Sequence, residues 1–408
     1  MKAVGVIVEY NPFHNGHLYH LKKSRQAAGA DIAIAVMSGN FLQRGEPALL
    51  SKWARAEMAL KAGADLVFEL PYKFAVQNAE TFADGAVSIL AAAGCSSLCF
   101  GSESGDIETF NAAVHLLDEH NEAYQERIKH HIGDGNSYPK ALSLAFKDLG
   151  LDEAGLDLSK PNNILGYQYA KSVYSRHKEL ELLTVKRKSA GYHDEHFSSE
   201  TIASATSIRK ALFSDGLELT DIKSYVPGTT LDIMEDYKKT FGAFHQWEMY
   251  WPFLKYRLLQ MSAPELKEIY EMEEGLENRI MHSAIKAGTF HEFMESIKTK
   301  RYTWTRLQRA CVHILTNTKK EEMLPQPKSA SYLRLLGMSE EGRIYLNRQK
   351  GSLGLPLISK LSSSPEEAMR QDIRAARIYA SALPHPQRQK LLEMEYTQPP
   401  IYLKGSRA

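Results

Sequence analysis

Residues Val8 to Leu21 read VEYNPFHNGHLYHL, and the position of this stretch decides the fold. A Val/Ile-rich run, Ala3 to Glu9, leads into it, and a helical pattern, Gly16 to Ala28, grows out of it. A short, continuous apolar run of β-branched residues is the signature of a buried strand. The stretch is therefore the turn between a first strand and a first helix. The alternation repeats. Asp31 to Met37 (DIAIAVM), Asp65 to Leu70 (DLVFEL), Ser96 to Phe100 (SSLCF) and Leu180 to Arg187 (LELLTVKR) read as strands. Ser51 to Ala62 and Gln77 to Ala93 read as helices. The tetrapeptide AGAD ends a helix and begins a strand twice, at Ala28 to Asp31 and Ala62 to Asp65, with Gly in the left-handed capping position. Strand and helix units joined this closely predict an α/β fold, a doubly wound parallel sheet with helices on both faces.

Beyond about residue 215 strand-like runs almost disappear. Helical patterns take over at Trp247 to Met261, Ala263 to Ala287 and Thr303 to Leu315, with a small α/β insert allowed near Leu355 to Leu361. The expected division is residues 1–220, a catalytic domain, and residues 221–408, a mostly helical domain. The whole chain has 408 residues, 24% charged and 43% hydrophobic, which excludes wholesale disorder. Its 50 Lys+Arg against 49 Asp+Glu provide no global basic field, so a nucleic-acid partner needs a local patch. Three cysteines, Cys95, Cys99 and Cys311, cannot make a disulfide scaffold and point to a reduced, cytoplasmic setting. Neither a signal peptide nor a membrane span is expected.

Ligands of open α/β sheets bind at the carboxyl ends of the strands, where the opening stretch lies. Within it His14-Asn15-Gly16-His17 places two imidazoles on one side of a helix start. Gly16 removes the side chain that would hold a phosphate away from the backbone, and the helix terminus offers free N–H groups. Such an array suits an α-phosphate under attack, where charge builds on the phosphoryl oxygens. A zinc site lacks a third His or Cys ligand at a recognisable spacing.

The segment resembles the H-x-G-H element of the nucleotidyltransferase superfamily, and Ser204-Ala205-Thr206-Ser207-Ile208-Arg209 resembles that superfamily's S-x-T-x-I-R motif. The residue chemistry agrees: Ser204 and Thr206 are helix-capping types, and Arg209 is a forked phosphate donor in the first turn. With SGNFLQRGEP, GADLVFELP, PNNILG and KRKSAGYHD, the first 210 or so residues resemble the tRNA(Met) cytidine acetate ligases. The resemblance implies a Rossmann-like sheet of nucleotidyltransferase type. It also implies that ATP and acetate give acetyl-adenylate and pyrophosphate. The acetyl group would then pass to the exocyclic amine of the wobble cytidine in elongator tRNA(Met), forming N4-acetylcytidine.

On this reading His14, His17 and Arg209 are catalytic. The segment Ile7, Val8, Glu9, Tyr10, Asn11, Pro12, Phe13, His14, Asn15, Gly16, His17, Leu18, Tyr19 and His20 lines ATP, although Tyr10, Phe13 and Tyr19 are of a type that more often packs in a core. Gly101 follows the fourth strand and permits close approach of the nucleotide, or is a plain turn glycine. One of Asn162 and Asn163 is expected to cap a helix while the other reads a base or ribose edge. Arg187 and Lys188 end the fifth strand, Arg187 as a phosphate ligand and Lys188 as a ligand or a solvated loop charge. Ser204 and Thr206 join them at the phosphates. Arg44 attracts the acetate carboxylate or pyrophosphate, or pairs with Glu46. Magnesium is expected to accompany ATP. Lys298, Lys300, Arg301, Arg306 and Arg309, interleaved with Tyr302 and Trp304, suit RNA phosphates and stacked bases, or form a solvated helix face. No stable protein partner is expected. The competing readings are a small-molecule adenylyl- or cytidylyltransferase and a non-catalytic RNA-binding protein.

Overall fold

The computed structural model describes residues 1–150, 155–187, 201–214, 218–273, 275–361 and 367–405. Lys188 and most of the KRKSAGYHD motif lie outside them. Among the described residues eight strands form one sheet: β1 (Ala3–Val8), β2 (Ile32–Ser38), β3 (Leu66–Leu70), β4 (Ser97–Ser102), β5 (Glu181–Lys186), β6 (Leu333–Ser339), β7 (Leu357–Ile358) and β8 (Ile401–Leu403). Their order is β5-β4-β1-β2-β3-β6-β7, with β8 also on β6. Strands β1 to β5 pair in parallel throughout. Along β2, Ala33, Ala35 and Met37 enter one core while Ile32, Ile34 and Val36 enter the other. A parallel strand buried on both faces has this near-continuous apolar sequence. The fold class expected from the sequence is the one observed. The two AGAD glycines have the expected positive φ, 55° at Gly29 and 104° at Gly63.

The chain reverses its direction of travel through the sheet beside β1. From β1 it steps to β2 and β3 on one side, and later to β4 and β5 on the other. That switch point opens a crevice at the carboxyl ends of β1 and β4.

The C-terminal part differs from the sequence reading. The described residues between Gly228 and Met323 are mostly helical, as expected, but the chain then returns to the sheet. Strand β6 pairs antiparallel with β3, and β7 and β8 pair in parallel with β6. The sheet therefore does not stop at the expected division near residue 220. Leu, Arg and Met make up most of β6 (LRLLGMS), and these are helix formers. Pairing with β3 overrides that preference. The expected helical pattern Ala263 to Ala287 is two helices, Ala263–Lys267 and Leu276–Lys286. A buried ionic cluster ties the last helix to the sheet. Lys52 Nζ lies 2.8 Å from Glu69 and 2.8 Å from Glu395, and Arg334 lies 3.8 Å from Glu395. Among the described residues no helix is long and apolar enough to cross a membrane.

Candidate active site

At the end of β1 the backbone turns sharply, with Tyr10 at φ 49°. Tyr10 and Phe13 are buried, so both pack as core residues. Phe13 lies 4.6 Å from the Tyr10 ring, and His17 lies 5.0 Å from it, between ring centroids. This apolar wedge orients the start of the helix Asn15–Ala28.

His14 is the N-cap of that helix. Its Nδ1 accepts the Gly16 N–H at 3.0 Å. His17 reaches back, and its Nδ1 accepts the His14 N–H at 3.3 Å. The two rings stack at 3.7 Å between centroids. A Cβ on Gly16 would lie 2.8 Å from His14 Cε1, so only glycine leaves room for the ring. With both Nδ1 atoms accepting, the ring protons are assigned to Nε2. Burial pushes the His14 imidazole down to about 3, helped by Arg187 and Arg209. Burial, His14, Arg187 and His20 hold His17 well below its ordinary value, against a hydrogen bond to Pro12 that pulls it up. Burial and then Arg187 lower His20 to about 4. The pair is therefore neutral at physiological pH, each ring a fixed N–H donor.

Elements far apart in sequence converge on this point. Asn15 Nδ2 donates to the carbonyls of Thr201 and Ser224, both at 2.9 Å. The helix Ala205–Leu212 starts at Ser204, whose Oγ accepts the Ser207 N–H at 3.0 Å. Thr206 is exposed in its first turn. From the same helix Arg209 donates to the Asn11 carbonyl at 2.8 Å and to Glu46 at 2.9 Å. The partner expected for Arg44 thus holds Arg209. Arg44 itself is half-buried, feels Glu9 and Glu46 as attractive charges, and feels Arg209 and Arg187 as repulsive ones. The charges of Arg187 and Arg209 both reach Arg44 and His14.

The other wall comes from β4 and β5. Gly101 stands against Arg187 and His20, within 3.5 Å and 3.8 Å of where its Cβ would be. Neither asparagine caps its helix: Pro161 opens Pro161–Arg176, and Lys160 is the N-cap. With Pro161 as the first helical residue, Asn162 and Asn163 fall at the second and third positions, inside the turn, where neither is placed as the cap. Asn162 instead donates to Glu103 Oε1 at 2.7 Å and accepts from Arg187 at 3.3 Å. Asn163 is buried and donates to the Asp157 carbonyl at 3.0 Å.

Two contributors were not singled out from the sequence. Glu103 has the loop FGSES as its only local signal. Arg55 is fully buried and binds the carbonyls of Glu9 (2.6 Å), Ser38 (3.1 Å), Leu50 (3.1 Å) and Gly39, locking the ends of β1 and β2 together.

The basic cluster is split by the fold. Lys298, Lys300 and Arg301 are exposed. Arg306 is half-buried, paired with Glu273 at 2.8 Å and set over the Tyr302 ring at 4.8 Å. Arg309 is buried and paired with Glu271 at 2.8 Å, which removes it from the exposed group. The basic stretch itself has no acid, but the fold supplies two from the preceding segment. Backbone contact joins this region to the site: a Cβ on Gly45 would lie 2.2 Å from the Arg309 nitrogen.

Comparison with known proteins agrees with this geometry. The model of the HIGH Nucleotidyl Transferase family matches residues 1–394. The tRNA(Met) cytidine acetate ligase of Bacillus licheniformis is 53% identical over 407 residues, covering 98% of this chain and 97% of its own. That of Geobacillus sp. is 50% identical, covering 98% and 100%. The crystal structure of apo Thermotoga maritima TmcAL superposes with a TM-score of 0.90 at 34% identity, covering 99% of this chain and all of that one. The same protein bound with alpha-thio ATP gives 0.87 at 32% identity, with the same coverage. With a family model spanning nearly the whole chain and relatives at half identity over their full length, this chain belongs to the tRNA(Met) cytidine acetate ligases, within the HIGH nucleotidyltransferases.

Proposed function

We propose that the chain joins acetate to ATP as acetyl-adenylate, releasing pyrophosphate, and passes the acetyl group to the exocyclic amine of the wobble cytidine of elongator tRNA(Met). The observation that carries this reading is the neutral His14–His17 pair at a helix N-terminus on the switch point, faced by Arg44, Arg187 and Arg209. The Nε2–H of His14, the His17 ring stacked against it and three guanidiniums suit a phosphoryl group gaining negative charge. The relatives' name supplies the acetate, the cytidine and the tRNA, and the alpha-thio ATP on the Thermotoga protein supplies the nucleotide.

In this reading the acetate carboxylate attacks the α-phosphorus directly, and the protein contributes positioning and charge. Residues Ile7 to His20, apart from the core side chains of Tyr10 and Phe13, line ATP together with Gly101, Asn162, Asn163, Arg187, Ser204 and Thr206, and Arg44 attracts acetate. Arg209 serves the phosphates after release from, or together with, Glu46. Among the described residues the carboxylates at the crevice are Glu9, Glu46 and Glu103, each already held by a protein donor, and they do not make an oxygen cage for magnesium. The ion belongs to the proposal only as a companion of the triphosphate, and no step is derived through it. Lys298, Lys300, Arg301 and Arg306 are the proposed RNA contacts. The work is assigned to the cytoplasm, where the three substrates meet.

The test is pyrophosphate exchange. Labelled pyrophosphate should enter ATP only when acetate is present, and acetyl label should reach tRNA from acetate and not from acetyl-coenzyme A. Exchange driven only by a nucleotide-like substrate would favour the small-molecule transferase, and no exchange at all the non-catalytic reading.

A further inference from the structure

The second half of the proposed reaction releases a proton, and most of the described groups around the crevice are unable to take it. His14 and His17 have their Nδ1 lone pairs engaged by backbone N–H groups. Arginines have no lone pair to offer. Burial keeps His20 a weak base, at about 4. Among the described residues three carboxylates border the crevice; of these Glu46 is bound by Arg209, and Glu103 is bound by Asn162 with its other oxygen enclosed.

Glu9 stands differently. It follows the last residue of β1, and its Oε1 accepts the Gln43 N–H at 2.8 Å and the Ser38 hydroxyl at 3.2 Å. Arg55 fixes its carbonyl from behind at 2.6 Å. Both carboxylate bonds fall on one oxygen, so the carboxyl is oriented while Oε2 accepts no bond among the described residues. The ionisable groups around it are Arg44 and Glu46 from the loop after β2, Arg55 from the helix Lys52–Lys61 and Tyr169 from the helix Pro161–Arg176. Burial outweighs the hydrogen bonds and Arg44, and raises the carboxyl above its ordinary range. A base is most effective when its pKa approaches the working pH.

Resting on the function proposed above, we propose that Glu9 is the general base of acetyl transfer, accepting through Oε2 a proton of the cytidine exocyclic amine. The amine nitrogen attacks the acetyl carbon, forming the N–C bond. The C–O bond to the adenylate phosphate breaks, and its electron pair leaves with AMP. The amine proton moves to Glu9 and then to water. Adenylation needs no such proton acceptor, since acetate attacks as a carboxylate.

Glu9→Gln tests the assignment, because the amide oxygen can still accept from Ser38 and Gln43. Acetate-dependent exchange, measured on the full chain without tRNA, reports whatever Glu9 contributes to the ATP-lining segment, and single-turnover transfer to tRNA(Met) should fall about 100- to 10,000-fold beyond any loss in that exchange. In the native protein the transfer rate should rise with pH through the Glu9 ionisation, and the variant should lack that limb. Glu9→Asp, which retains a carboxylate, should retain the limb with reduced transfer. Unchanged transfer in Glu9→Gln, or exchange falling in parallel with transfer, overturns the proposal. Absence of acetate-dependent exchange in the native protein would instead refute the underlying function, whatever Glu9 does.

Discussion

Replacing Arg55 by Lys should unsettle the site from beneath. The guanidinium is fully buried, and burial lowers its pKa to about 10, so it remains charged. It reaches four carbonyls: Glu9 at 2.6 Å, Ser38 and Leu50 at 3.1 Å, and Gly39. A lysine ammonium is a compact charge and lacks the planar fork that spans them. At least two carbonyls should lose their donor. At about 1–3 kcal/mol for each unsatisfied buried group, the cost is about 2–6 kcal/mol. That is a large part of the roughly 5–15 kcal/mol that holds a typical domain folded. Urea unfolding, read as a shift of the midpoint at constant slope, measures the loss. Because Arg55 clamps Glu9 and the loop after β2, the KM for acetate in pyrophosphate exchange should rise as well. A variant destabilised by less than about 1 kcal/mol, the net worth of one ordinary hydrogen bond, would refute the clamp argument.

The remaining predictions concern chemistry and partners. His14→Ala or His17→Ala should each slow acetate-dependent exchange about 100- to 1000-fold, or about 2.7–4 kcal/mol, with tRNA binding unaltered; near-normal exchange would falsify the donor assignment. Since burial keeps His14 neutral down to about 3, exchange should show no acid limb near pH 6.5 from this ring. Changing Lys300, Arg301 and Arg306 together to Ala should reduce the salt dependence of tRNA binding by about 0.7–0.9 in log–log slope per lost phosphate contact, and an unchanged slope makes them a solvated surface. Arg309→Ala should instead lower stability by about 3–5 kcal/mol, because Glu271 is left charged and unpaired, and thermal unfolding compared with the triple variant separates the two roles. Gly45→Ala should impair both folding yield and acetate affinity, since its φ of 73° and the 2.2 Å approach to Arg309 exclude a Cβ.

What the sequence could reveal was whatever is encoded locally. The H-x-G-H turn, the AGAD caps and the apolar strands carry their own signals within a few residues, and the structure has them where the pattern put them. Ser204 likewise caps its helix as its type suggests. Contacts across long sequence distances carry no such signal. Strand β6 is written in helix-forming residues and becomes a strand only against β3. Asn162 looks like a cap, but the helix begins at Pro161, which puts Asn162 inside the first turn with its amide on Glu103 and Arg187. The ion pairs of Arg306 and Arg309 come from Glu273 and Glu271, outside the basic stretch that was counted. Arg55 sits in an ordinary-looking amphipathic helix, and only the meeting of two strand ends makes it a clamp.

The return of the chain to the sheet also sets a timetable. Strand β3 has its outer partner, β6, only when residues 333–339 arrive, and Lys52 has Glu395 later still. A ribosome adding about 5–20 residues per second needs roughly 13–50 s to travel from Leu70 to Leu333. Throughout that interval the nascent sheet presents an unpaired strand edge, a ready template for pairing with another chain. The crevice walls from β1, β4 and β5 can assemble within that time, so the half that handles nucleotide precedes the half that closes its flank. Helper proteins that shield strand edges should therefore matter more to the yield of this enzyme during synthesis than during refolding of the finished chain, where both partners are present from the start.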